Sequence, residues 1–232
     1  MKPIYKYLST KITNSRIKAT DDTIHQIVKD ELDRLGYDAD LNHIDVSEVT
    51  TMYSGGGTIG WNGSPFYNEV INNKDEIISR KINVDVSKWN VSKCTNFAYM
   101  FYECYIFNCD ISEWDVSKAN TFSQMFSFCE KFNSDLSSWN TSNVTKMTGM
   151  FNRCLSFDFK TIANWDVSNV TNAAWIFANN EDTLKKQNVD LSKLCFSSIH
   201  YSNRHAFSNT QLEQDKRPFI RQNTSHASER LN

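Results

Sequence analysis

Four tryptophans set the terms on which this chain folds. Trp89, Trp114, Trp139 and Trp165 are separated by 25, 25 and 26 residues, and the residues around them recur with them. A fixed period of this length marks an array whose units cannot bury their apolar faces alone and do so against their neighbours. Aligned on the period, the chain gives apolar columns. One is Leu41, Val86, Ile111, Leu136, Ile162 and Leu191. Three residues on stand Ile44, Trp89, Trp114, Trp139, Trp165 and Leu194. Two further on stand Val46, Val91, Val116, Thr141, Val167 and Phe196, and three beyond those Val49, Cys94, Ala119, Val144, Val170 and Ile199. The spacing is L-x-x-L-x-L, six times over.

Two periodicities meet in each unit. Around the tryptophan, apolar and polar residues alternate, which predicts a strand. Beyond it apolar residues fall at steps of three and four, as in Val144, Met147, Met150, Phe151 and Cys154, which predicts a short helix. The expected fold is an α/β, leucine-rich-repeat-like solenoid. It would carry about six parallel strands on one side, short helices on the other and an N-terminal capping helix.

Three regions are expected. Residues 1–37 form an arm and the capping helix. Thr20, Asp21 and Asp22 offer N-cap groups, Ile24, Ile27, Val28, Leu32 and Leu35 share a face, and Gly36 is the stop. Residues 38–207 form the solenoid, with a degraded last copy over 188–207. It is interrupted at 53–80, where Ile44 and Trp89 are 45 residues apart; a short helix is expected near Tyr67–Ile71. Insertions in repeat arrays map to one face, so this loop, with Trp61 and Tyr67, is a candidate specificity element. Residues 208–232 read as a polar tail or C-terminal cover.

The runs Asp110-Ile111-Ser112-Glu113-Trp114-Asp115-Val116-Ser117 and Trp165-Asp166-Val167-Ser168-Asn169-Val170-Thr171-Asn172 resemble a bacterial repeat family. It was first noted as a domain of unknown function in mycoplasma surface lipoproteins and is related to BspA-like leucine-rich repeats. The resemblance spans roughly residues 38–207. It implies a horseshoe or straight solenoid, adhesion or protein binding, display at the cell surface and no known catalysis. The chain departs from many such proteins: its first residues carry no export signal and no lipid-anchor cysteine. On sequence alone a cytoplasmic or virion-associated protein is the expectation.

A formal net charge of −2 without a local Lys/Arg cluster argues against nucleic acid as a partner. No apolar run long enough to insert in a membrane is present. Gly55-Gly56-Gly57 lacks the Gly-Lys-Ser/Thr of a phosphate loop. The six cysteines include no C-x-x-C pair, and Cys104, Cys129 and Cys154 recur in phase, as buried core thiols would; Cys195 falls on the outward face. The five histidines are scattered. No enzyme, cofactor or metal is therefore expected.

Candidate binding residues lie on the outward side of the predicted strands. Asp45, Asn90, Asp115, Asn140 and Asp166 follow the tryptophan column, and His43, Lys88, Glu113, Ser138 and Asn164 precede it. Alternating Asp with Asn separates like charges that would otherwise face each other across adjacent strands. The ladder reads either as self-satisfied hydrogen bonding or as a mildly acidic face for a protein, a glycan or a cation. Two functions from different classes follow. One is a non-enzymatic scaffold that binds another protein, or a surface glycan, through this face and the inserted loop. The other is an assembly subunit of a cell-surface layer or phage particle, with oligomerisation through its ends.

Overall fold

The computed structural model describes residues 16–53, 64–66, 81–196 and 217–220. The elements in chain order are β1 (Ile17–Lys18), α1 (Ile24–Leu35), β2 (Ile44–Asp45), a 3-10 helix (Phe159–Ile162), α2 (Glu181–Gln187), β3 (Cys195–Phe196) and β4 (Phe219–Ile220). Most of the described chain between β2 and β3 consists of turns and their connections, repeated in register.

Each copy makes two tight turns. In the first, the N–H of the tryptophan column donates to the carbonyl three residues back, at 3.0–3.1 Å in all six copies. In the second, Val49, Cys94, Ala119, Val144 and Val170 do the same at 2.8–3.0 Å. The L-x-x-L steps are thus turn steps. Regular strand survives, among the described repeat residues, in β2 and β3. The reason is local chemistry: an Asp or Asn two residues before a Ser bends the chain on both sides of the Trp-x-Val step.

The helices expected after the tryptophan are replaced by a ribbon of turns. Met100, Tyr102 and Cys104 donate to Phe97, Tyr99 and Phe101 of their own copy, at 3.0–3.2 Å. Phe97, Tyr99, Phe101 and Glu103 donate to Thr121, Ser123, Met125 and Ser127 of the next, at 2.9–3.1 Å. The same four-bond junction recurs from Phe122, Gln124, Phe126 and Phe128, and again from Met147, Gly149, Phe151 and Arg153. Parallel bridges Thr51↔Asn96, Asn96↔Thr121, Thr121↔Lys146 and Lys146↔Asn172 run along this side. Packed helices need 8–10 Å between axes. Copies joined by backbone bonds sit about 4.8 Å apart, so a helix does not fit and the segment flattens. Flattening forces left-handed backbone at two positions per copy: Tyr99, Gln124, Gly149 and Trp175 in one column, Glu103, Phe128, Arg153 and Asn179 in the other, with φ between 55° and 65°. Each non-glycine there costs roughly 1 kcal/mol.

The core between turns and ribbon is a set of continuous ladders. Trp89, Trp114, Trp139 and Trp165 are 4–6% exposed. Phe101, Phe126, Phe151 and Phe177 stack with centroids 5.9, 6.0 and 6.5 Å apart. Phe107, Phe132 and Phe157 form a parallel row at 5.9 and 5.7 Å. Phe66, from the inserted segment, is fully buried and stacks on Phe101 at 5.1 Å. Ser64 Oγ beside it donates to the Met100 carbonyl at 2.5 Å. The insertion therefore returns to the core at 64–66 and extends the phenylalanine row by one ring.

Both ends of the array are covered. At the first copy, β1 pairs in parallel with β2, and α1 buries Ile24, Val28 and Leu32. Ile27 packs partly against the same core, whereas Leu35, expected on that face, is 42% exposed. Thr23 is the N-cap residue and makes no side-chain capping bond. Asp21, expected as a capping group, does something else. Its carboxylate accepts from Thr50 N–H at 2.7 Å, Thr51 N–H at 3.1 Å and Thr50 Oγ1 at 2.6 Å. Inside the array the carbonyl of one copy accepts this same set from the next: Thr50 C=O takes Thr95 N–H at 2.8 Å, Asn96 N–H at 3.4 Å and Thr95 Oγ1 at 3.2 Å. Asp21 thus stands in for the carbonyl of a preceding copy. At the other end β4 pairs in parallel with β3, and Pro218 is buried.

Candidate functional site

The tryptophans explain themselves at the junctions. Each indole Nε1–H donates to the preceding copy: Trp89 to Leu41 C=O at 2.9 Å, Trp114 to Val86 at 3.2 Å, Trp139 to Ile111 at 3.2 Å and Trp165 to Leu136 at 2.9 Å. Each of those carbonyls also closes the first turn of its own copy. Tryptophan fills a large core site and carries a strong donor that is never an acceptor, which suits a carbonyl partner. The first copy has Ile44 in this column, where no preceding copy offers a carbonyl.

The candidate face follows from the two turns. Asp45, Asn90, Asp115, Asn140 and Asp166 each accept, through Oδ1, the backbone N–H of the serine two residues on, at 3.0–3.2 Å. Hydrogen bonds from the Ser47, Ser117 and Ser168 hydroxyls and N–H groups hold the Asp45, Asp115 and Asp166 carboxyls below the usual range. Asp45 is half-buried and the other four are exposed. One oxygen of every rung is therefore engaged in fixing the turn.

The column before the tryptophan is less committed. Lys88, Glu113, Ser138 and Asn164 are exposed on successive copies. Ser138 Oγ donates to Ser112 C=O at 2.7 Å. His43 sits apart from them: it is half-buried, and its Nε2 lies 2.9 Å from Glu31 Oε2, which also pairs with Arg34. Burial alone would raise the Glu31 carboxyl, but hydrogen bonds from Arg34 and His43 outweigh it and hold it below its ordinary value. His43 thus belongs to the contact between α1 and the first copy. Trp61 and Tyr67 lie outside the described residues, as does most of the 53–80 insertion.

Sequence reasoning missed two further ladders and the hydrogen bonds made by a third, the cysteine row. Asp40, Asp85, Asp110, Asp135 and Asp190 serve the first turn as the Asp/Asn column serves the second, at 2.8–3.0 Å. Asn83, Asn108 and Asn133 each accept, through Oδ1, the N–H of the residue one copy on, at 2.8–2.9 Å. The Cys129 and Cys154 thiols donate to Phe101 and Phe126 carbonyls at 2.9 and 3.0 Å, and Asn180 continues the row with a bond to Phe151. Burial pushes the Cys104, Cys129 and Cys154 thiols far up and Cys94 to about 12. All six cysteines are free, and Cys195 alone is half-exposed. The recurring Asp-x-Ser and Asn-x-Ser triplets were the available signal for the turns; the period itself was the signal for the asparagine row.

Among the described residues no group of three or more His, Cys, Asp or Glu is arranged to hold a metal. No described helix is long and apolar enough to cross a membrane. No curated protein and no solved structure matches the chain. A family model does match, over residues 69–215, beginning inside the insertion and running through the repeated turns. That span exceeds half of the chain, which therefore belongs to the family described as DUF285, Mycoplasma protein of unknown function.

Proposed function

We propose that the chain is a non-enzymatic repeat scaffold, a leucine-rich-repeat-like solenoid, that binds another protein through the exposed column Lys88, Glu113, Ser138 and Asn164 together with the 53–80 insertion. The observation that carries this reading is the division of labour on that face. The Asp/Asn rungs hold the turns rigid. The neighbouring column, on the same rigid frame, presents a base, an acid, a hydroxyl and an amide in succession. Such a frame lowers the entropic cost of association, because the side chains arrive already spaced. The placement of Ser64 and Phe66 in the core adds to it, since both halves of the insertion start from a fixed point.

The test is the double variant Lys88→Ala/Glu113→Ala, which leaves the turn-forming Asp115 in place. A partner captured and identified with the wild-type chain should bind the variant at least tenfold more weakly, at unchanged melting temperature. Equal binding by a folded variant would discard this face.

A further inference from the structure

Two columns on the outer side of the turn ribbon do not repeat one chemistry. Tyr99, Gln124, Gly149 and Trp175 occupy equivalent positions, as do Glu103, Phe128, Arg153 and Asn179. On this side lies a chain of ring contacts across three copies. Tyr53 and Tyr99 are 5.7 Å apart, Tyr99 and Tyr102 5.6 Å, Tyr102 and Phe128 6.1 Å, and Phe128 and Tyr105 6.2 Å. All five rings are half-buried. They are core neither by exposure nor by position; the buried phenylalanine rows lie beneath them.

We infer that this strip is a binding platform for a neutral oligosaccharide laid along the array. Three observations favour that ligand. Four of the five rings are phenols, each joining an apolar face to a hydroxyl, and a pyranose offers the same pairing of a C–H face and a hydroxyl rim. Among the described residues the charges beside the strip balance: Glu103 and Glu130 face Lys131 and Arg153, and Arg153 Nε lies 2.7 Å from Glu130 Oε1, so these groups set up no field of one sign to select a polyanion. Among the described residues, exposed aliphatic side chains are sparse on this side: Ile106 and Leu155 stand on separate copies, and Trp175 on a third.

The backbone adds a fourth. Tyr99 at φ 60° and Phe128 at φ 65° keep bulky rings in the left-handed region. Gly149 stands at the position equivalent to Tyr99 with φ 58°, so the fold accepts glycine there. Rings retained against local strain point to a use for them.

The experiment is calorimetric titration of the full chain with maltohexaose, cellohexaose and chitohexaose, with oligogalacturonate as the charged comparator. One or more neutral hexasaccharides should bind. Tyr99→Gly, which relieves the strained backbone while removing the ring, and Tyr102→Ser should each weaken binding at least tenfold while the chain stays folded. Lys88→Ala/Glu113→Ala should leave it unchanged, which separates this platform from the opposite face. The inference falls if no neutral hexasaccharide binds at millimolar concentration, if only the charged comparator does, or if folded Tyr99→Gly and Tyr102→Ser bind as wild type. It also falls if a second copy of the chain occupies the strip, seen as concentration-dependent dimerisation that Tyr102→Ser abolishes.

Discussion

Replacing Asp21 tests whether a carboxylate terminates the array by acting as the carbonyl of an absent copy. Asp21→Ala removes the acceptor for Thr50 N–H, Thr51 N–H and Thr50 Oγ1. A hydrogen bond to a charged group contributes about 1.5–3 kcal/mol. Summing three such bonds would overstate the effect, because Asp21 is half-buried and Thr50 exposed, so water replaces part of what is lost. The expected loss is about 2 kcal/mol at pH 7. Asp21→Asn keeps an oxygen for the two N–H donors and should lose about 1 kcal/mol. Urea unfolding of the three chains, followed by circular dichroism, measures both.

The pH dependence supplies the sharper check. Burial raises the Asp21 carboxyl, but the bonds from the Thr50 hydroxyl, Thr50 N–H and Thr51 N–H prevail and hold it below its ordinary 3.8. A depressed folded value means that the contribution is complete above the unfolded value and is lost as pH falls through the folded one. The gap between wild type and Asp21→Ala should therefore be constant from pH 7 to about 5 and shrink below about pH 4. Asp45, Asp85, Asp110, Asp115 and Asp166 are depressed too, so both chains weaken in acid, and only the difference between them reports on Asp21. A difference that persists undiminished at pH 2.5, or an Asp21→Asn chain as unstable as Asp21→Ala, would refute the carbonyl-mimic reasoning.

Three other outcomes follow from the same geometry. Trp139→Phe loses the indole bond to Ile111 and leaves a gap beside Trp165, whose ring is stacked 6.3 Å away; about 2 kcal/mol should vanish in urea titration. Gly149→Ala puts a Cβ on a backbone at φ +58° and 2.5 Å from Gln124 Nε2; it should cost about 1–2 kcal/mol, and adding Gln124→Ala should recover only the steric part. Thiol labelling of the native chain at pH 8 should modify Cys195 and spare Cys104, Cys129 and Cys154, whose thiolates burial disfavours; their labelling faster than global unfolding, followed by peptide mass analysis, would contradict the buried row.

What the sequence disclosed was the inside of the array. The Trp, Met, Phe and Cys columns are visible as period-25 recurrences, and their members are buried from Met100 and Phe101 to Met150 and Phe151. What it concealed was the path of the backbone. Steps of three and four between apolar residues fit a helix, yet they fit equally a ribbon in which every second N–H turns to the neighbouring copy, and the choice is made by the spacing between copies. That spacing is a property of the assembled junctions. Phe101, Phe126 and Phe151 stack about as closely as neighbouring strands do, and no helix has room there. Phe66 was concealed for a related reason: it stands off the period, and only closure of the array brings it onto Phe101.

The same logic separates structure from function on the surface. A column that repeats one chemistry does so where the fold requires it, as in the turns where each Asp or Asn rung accepts its serine N–H. A column that changes from Tyr to Gln to Gly to Trp at one backbone conformation is not obeying the backbone, which favours glycine at every step. Its variety needs another cause. The Asp/Asn ladder is regular, and regularity is the mark of scaffolding; the irregular columns, Lys88 to Asn164 and Tyr99 to Trp175, are where a ligand has room to be distinguished.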